Sequence, residues 1–203
     1  PMGVSFIIAP WNYPYLTSVN SIIPSLAAGN SVILKHSAQT PLCAEQLYES
    51  AKKTLPKNIF NYLHLNHNDS LKIVSDKRIG FVSFTGSVKA GYEVQKATIN
   101  KFISVALELG GKDPAYVRHD ADIEKTVENL VDGSFFNSGQ SCCGIERIYV
   151  DKKIYNDFLE LFISKTYEYK LGNPLNKDTN LGPVVKLSAA KFIQDQINSA
   201  VKK

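Results

Sequence analysis

The chain has 203 residues, 44% hydrophobic and 21% charged, which supplies a substantial core and argues against wholesale disorder. Its net charge of +4 is modest, and no basic stripe with interleaved aromatics is present, so nucleic acid is not an expected partner. No apolar run approaches the roughly 18 residues that read as a bilayer span, and no signal-peptide pattern opens the chain, so no membrane association is expected either. Three cysteines, two of them adjacent, do not make a disulfide framework and fit reduced thiols in a cytoplasmic protein. The chain starts Pro1-Met2-Gly3-Val4 and stops at Ala200-Val201-Lys202-Lys203 inside an amphipathic helical pattern. Both ends read as cut, as in an internal piece of a longer protein.

Strand-like and helix-like segments alternate from the start. Residues 4–8 form a buried-strand run, and residues 18–28 a helical stretch closed by Gly29-Asn30. Residues 31–34 predict the next strand and residues 41–54 a helix, with Pro41 in the first turn where its missing N–H costs little. A third strand is expected over 59–65, a short helix over 69–75 and a fourth strand over 81–84. That strand leads through Thr85-Gly86-Ser87 into a helix ending near Ile99, and residues 102–107 make a fifth strand. This alternation predicts an α/β fold with a mainly parallel sheet and helices on both faces.

After Gly110-Gly111 the pattern restarts, and a boundary is placed there. A short strand is expected over 114–117, with Asp120 as the cap of a helix whose apolar face is Ile123, Val127, Leu130, Val131 and Phe135. Residues 145–150 then read as a strand and 154–167 as a helix. The Gly172-Asn173-Pro174 and Gly182-Pro183 turns bracket a polar loop.

Three segments carry chemistry. Residues 135–143, Phe-Phe-Asn-Ser-Gly-Gln-Ser-Cys-Cys, leave Cys142 in a small, polar, Gly-bearing loop that a substrate can reach. An isolated cysteine is more often a packed structural residue, as Cys43 is taken to be. Glu108 precedes Leu109-Gly110-Gly111-Lys112 at a strand end, and Asn12 sits in Pro10-Trp11-Asn12-Tyr13-Pro14. Alone, the first would be a solvated carboxylate and the second a turn residue capping its own backbone. A thiol, an acid and an amide donor are together the minimum for acyl chemistry through a thioester. No G-x-G-x-x-G follows any strand, but Phe84-Thr85-Gly86-Ser87 places a small loop ahead of a helix N-terminus, which suits a pyrophosphate and also makes ordinary turns.

Together these segments resemble the aldehyde dehydrogenase superfamily over essentially all 203 residues. They match its F-x-N-x-G-Q-x-C, E-L-G-G-K and P-W-N-[FY]-P motifs in order. The resemblance implies a Rossmann-like cofactor domain, of which residues 1–110 are part, followed by the first part of an α/β catalytic domain, residues 111–203. It implies Cys142 as nucleophile and Glu108 as the base that hydrolyses the thioester, with Cys143 only a neighbour. Asn12 and the Cys142 backbone N–H are the implied oxyanion donors. Relatives that pass the acyl group to coenzyme A generally lack this acid, so they are the alternative reading, beside a catalytically incomplete, binding-only fragment.

The cofactor implied is NAD or NADP, held by Lys35, Ser37, Gly86, Ser87, Trp11 and Leu109. Lys35 matches the lysine on the adenosine ribose. NAD-preferring relatives often carry a glutamate three residues later, where this chain has Ala38, so a 2′-phosphate would meet no negative charge. Tyr13, Thr17, Asn20, Phe136 and Ser141 are expected near a tunnel for a small-molecule aldehyde. His64 and His67 replace a Gly-rich loop and read as surface histidines with no metal site. The parent protein is expected to be a homodimer or homotetramer. The family also needs a downstream E-x-F-G-P segment, absent from these residues, so the isolated chain is expected to be inactive or poorly folded.

Overall fold

The first strand, β1 (Val4–Ile8), is buried along nearly its whole length. In the computed structural model, which describes residues 1–202, it pairs in parallel with β2 (Ser31–Lys35) on one side and β4 (Ile79–Thr85) on the other. Outside these lie β3 (Phe60–Tyr62) and β5 (Ser104–Glu108), giving the all-parallel order β3-β2-β1-β4-β5.

Each crossover carries a helix: α1 (Leu16–Ala27), α2 (Leu42–Ala51), α3 (His67–Ser75) and α4 (Val88–Ala97). Successive side chains of β1 show why the strand reads as continuously apolar. Phe6 and Ile8 pack with Val74, Val82 and Val94 in one core cluster, whereas Ile7 and Ala9 pack with Ile22, Leu34 and Ala44 in another. A strand covered on both faces has no polar side to alternate with.

The register slips once, between Val4↔Ile79 and Ser5↔Phe81, leaving Gly80 as the extra residue. A Cβ at Gly80 would collide with the Met2 carbonyl, so only glycine passes there. Strand β4 therefore starts two residues earlier than its apolar run suggests. Strand β3 is shorter than expected, since ladder pairing to β2 ends at Tyr62 and one further bond, Leu63 N to Leu34 O, closes it.

The chain divides into two compact units, Pro1–Gly110 and a second that begins at Gly111. In the second, β6 (Asp113–Val117) and β7 (Ile145–Val150) pair in parallel, joined by α5 (Ile123–Phe135) and a tight turn, Phe136–Gly139. Val117, Val127, Val131 and Phe158 form its core, the last from α6 (Tyr155–Thr166). A final helix, α7 (Leu187–Val201), has no buried residue.

The cap of α5 is Asp122, not Asp120. Asp122 accepts the Lys125 N–H at 3.2 Å, while Asp120 is taken by Arg118, whose Nε and Nη2 donate to its two oxygens at 3.0 and 2.9 Å. Those hydrogen bonds lower the Asp120 pKa. Asp122→Ala is therefore expected to cost about 1 kcal/mol in urea unfolding. Asp120→Ala, which breaks an exposed pair, should stay within about 0.5 kcal/mol of the parent.

Candidate active site

Because all five strands of the first unit run the same way, their exits share one edge of the sheet. Trp11 and Asn12 follow β1, Lys35 and Ser37 follow or end β2, Gly86 and Ser87 follow β4, and Glu108 and Leu109 end or follow β5. Parallel pairing thus gathers eight residues scattered over the first 109 positions. Between β1 and β4 the connections diverge to opposite sides, the switch point where ligands of open α/β sheets bind.

Three details suit that edge to an anionic cofactor. The Gly86 N–H donates to Glu108 O at 3.0 Å, tying the β4 and β5 exits together. A Cβ at Gly86 would lie 2.7 Å from the tip of the Phe84 ring, itself buried, so the turn needs glycine. Ser87 is the N-cap of α4, its Oγ accepting the Ala90 N–H at 3.3 Å, which leaves the first turn of a helix dipole facing the edge. Lys35 is half-buried, and burial lowers its ammonium pKa. Leu109 has a structural part besides: its side chain packs on α4, where a Gly91 Cβ would come within 2.8 Å of Cδ2. Glu108 is exposed at the end of β5.

The Asn12 loop is closely held. Asn12 Oδ1 accepts the Tyr13 N–H at 3.1 Å, which decides which end of the amide is the donor. Thr17 Oγ1 donates to Tyr13 O and Ser18 Oγ to Pro14 O, both at 2.7 Å. His36, which the sequence reading passed over, is buried and lies 2.9 Å from the same Pro14 oxygen. Its signal was only a histidine next to the strand-end lysine. The other two histidines of note behave as surface groups: His64 contacts Glu45 at 2.9 Å and Tyr62 edge-on, and His67 starts α3. Among the described residues no cluster of three His, Cys, Asp or Glu is placed to hold a metal.

In the second unit, three consecutive residues before the cysteines are left-handed: Asn137 (φ 52°), Ser138 (φ 58°) and Gly139 (φ 71°). Two of them are not glycine, and the turn is held by its own polar side chains. Asn137 Nδ2 donates to Gln140 O at 3.2 Å and Gln140 Nε2 returns to Asn137 O at 3.0 Å. Ser138 Oγ donates to Gly182 O at 2.5 Å, and Val185 N to Gln140 Oε1 at 2.7 Å. The Asn, Gly and Gln of the motif therefore shape the turn that presents Cys142. Both adjacent cysteines are exposed and unbridged.

The Cys142 thiol pKa is raised, first by partial burial, then by the charge and hydrogen bond of Cys143. The backbone amides of Cys142 and Cys143 pull it the other way. The surroundings of Cys142 in this unit thus favour the thiol over the thiolate.

Residues 1–203 match the model of the aldehyde dehydrogenase family throughout. The chain belongs to the aldehyde dehydrogenase family. It is 33% identical to lactaldehyde dehydrogenase of Methanococcus aeolicus over 99% of its length, and 34% identical over 98% to D-glyceraldehyde dehydrogenase (NADP(+)) of Picrophilus torridus. Among solved structures, it superposes on betaine aldehyde dehydrogenase from Staphylococcus aureus in complex with NAD+ with a TM-score of 0.91 at 34% identity, covering 98% of this chain and 40% of that one. An NAD-dependent aldehyde dehydrogenase from Sinorhizobium meliloti gives 0.96 at 28% identity, covering 100% and 41%. The chain spans 44% and 41% of the two curated relatives, less than half of either. Aldehyde dehydrogenase relatives with bound or named cofactor use NAD or NADP. No helix among the described residues is long and apolar enough to cross a membrane.

A raised thiol pKa means less thiolate at a given pH. Iodoacetamide alkylation of Cys142, followed by peptide mass mapping across pH, is expected to reach half its maximal rate above the pH of a free cysteine. Cys143→Ala, which removes the neighbouring charge and hydrogen bond, should move that half-point down.

Proposed function

We propose that the protein oxidises an aldehyde to a carboxylic acid with NAD+ or NADP+, using Cys142 as nucleophile, Asn12 as oxyanion donor and Glu108 as hydrolytic base. The observation that supports this most is the Cys142 loop. Its motif residues fold into a tethered left-handed turn that leaves the thiol exposed, in a chain belonging to a family of aldehyde oxidising enzymes. On this reading residues 1–110 are part of the cofactor domain and residues 111–203 the first part of the catalytic domain.

Because its surroundings favour the thiol, Cys142 gives its proton to solvent water as sulfur bonds to the carbonyl carbon. The carbonyl oxygen then becomes an alkoxide, whose charge the Asn12 side-chain amide and the Cys142 backbone N–H would stabilise by hydrogen bonding. The nicotinamide cofactor, when bound, supplies the acceptor for the hydride that turns this thiohemiacetal into a thioester. Glu108 takes a proton from water, whose oxygen attacks the thioester carbon, and the thiolate leaves as the free acid forms. Its presence favours hydrolysis over transfer to coenzyme A.

Gly86 and Ser87 would hold the pyrophosphate at the α4 N-terminus, with Lys35 and Ser37 at the ribose and Trp11 and Leu109 alongside. Ser37 Oγ accepts the Gln39 N–H at 3.2 Å, and Ala38 offers no carboxylate. A ribose 2′-phosphate would therefore meet no carboxylate at position 38, so these residues do not discriminate against NADP+. In the arrangement the family resemblance implies, Tyr13, Thr17, Asn20, Phe136 and Ser141 would lie near the aldehyde path. The unbridged thiols suit a cytoplasmic setting, and membership of the family suits a homodimer or homotetramer.

Asn12→Ala in the complete protein is expected to lower kcat about 10²–10³-fold, on the order of 3 kcal/mol of transition-state stabilisation. Stoichiometric alkylation at Cys142 should abolish activity, and activity that survives it sinks the mechanism. Cofactor reduction should proceed without coenzyme A. A strict requirement for it would establish the acyl-transfer reading instead. Initial rates with NAD+ and NADP+ should both be measurable, and Ala38→Glu should depress only the latter.

A further inference from the structure

The loop that carries Asn12 is held by a buried side chain that none of these roles uses. His36 follows β2, is 3% exposed, and has both ring nitrogens engaged. Nε2 lies 2.9 Å from Pro14 O and Nδ1 lies 3.1 Å from Thr40 Oγ1. A carbonyl oxygen only accepts, so the hydrogen-bond network assigns the proton to Nε2, and Nδ1 then accepts from the Thr40 hydroxyl. The ring bridges residue 14, in the loop after β1, and residue 40, at the approach to α2.

Pro14 lies two residues beyond Asn12. Its oxygen also accepts from Ser18 Oγ at 2.7 Å, and Ser18 is fully buried at the start of α1. Two buried donors from different elements therefore converge on one carbonyl. With φ preset at Pro10 and Pro14, the three residues between them have little freedom left once that carbonyl is fixed. The Ser18 bond is local and moves with α1, whereas the His36 bond refers residue 14 to the end of β2, as the Ala9 N–H bond to Lys35 O at 3.0 Å does at the start of the loop.

We propose that His36 is a positioning residue for the oxyanion donor: its Nε2–H, held in that tautomer by Thr40, anchors Pro14 and thereby sets the Asn12 amide relative to the sheet edge. This rests on the assignment of Asn12 to the oxyanion. His36 touches neither substrate nor reacting atoms, so it acts on the rate only through Asn12.

The test is a double-mutant cycle in the complete protein, read as kcat at saturating cofactor. His36→Phe keeps an aromatic ring of similar size and removes the donor, whereas His36→Gln restores an N–H₂ near the position of Nε2. Displacing a catalytic group by about 1 Å can cost on the order of 10²-fold. We expect His36→Phe to lower kcat by about 10- to 100-fold, with a smaller change in the aldehyde KM, and His36→Gln to recover most of the loss. In an Asn12→Ala background, His36→Phe should have little further effect, because the group it positions is gone. An equal loss in both backgrounds, or unchanged kcat in folded His36→Phe, overturns the inference. If Asn12→Ala alone leaves kcat unchanged, the parent assignment fails and the inference with it. Should His36→Phe not fold, Thr40→Val carries the same cycle by removing the partner that sets the tautomer.

Discussion

Parallel hydrogen bonding of β1 to both β2 and β4 is the constraint on which the rest of the first unit depends. Parallel neighbours force the chain back across the sheet between strands, so helices cover both faces and every strand exit falls on one edge. Asn12, Lys35, Ser87 and Glu108 share that edge for this reason and for no local one. Slipping β1 by one residue would exchange Phe6 and Ile8 with Ile7 and Ala9 between the two core clusters. Gly80 helps to set the register, because the bulge it forms passes under the Met2 carbonyl without a side chain.

The second unit faces a different demand, to display a thiol at a defined point in a loop. It does so with strain. Left-handed backbone at Asn137 and Ser138 costs roughly 1–2 kcal/mol each. Four hydrogen bonds from Asn137, Ser138 and Gln140, each worth about 1 kcal/mol net, offset it. Two of them reach Gly182 and Val185, so the turn is braced from outside its own sequence. Such strain at a reactive residue is where fixed geometry is worth its energetic cost.

Much of this was legible in the residues. Apolar runs bounded by Gly and Pro mark the strands, and the ordered motifs point to the family that the comparisons show. What was not legible depended on partners elsewhere in the chain. Asp120 and Asp122 are equally good caps by type, and Arg118 decides between them by occupying the first. Lys35-His36-Ser37-Ala38 reads as a polar loop, yet His36 is buried because Pro14 and Thr40 fold around it. The left-handed turn was hidden because Asn137 and Ser138 are not glycine, and the raised Cys142 pKa depends on burial and on how Cys143 lies against it.

The central claim is that the oxidised substrate is held as a thioester on Cys142 until Glu108 activates water. It is tested most directly by trapping that species. A Glu108→Gln variant of the complete protein is mixed with propanal and NAD+ or NADP+, quenched in acid, digested and weighed by mass spectrometry. The account predicts a propionyl group on the peptide containing Cys142, localised to that sulfur, in amounts that match the first turnover of reduced cofactor. Reduced cofactor with no acyl group on Cys142, or with the group on Cys143, would contradict it.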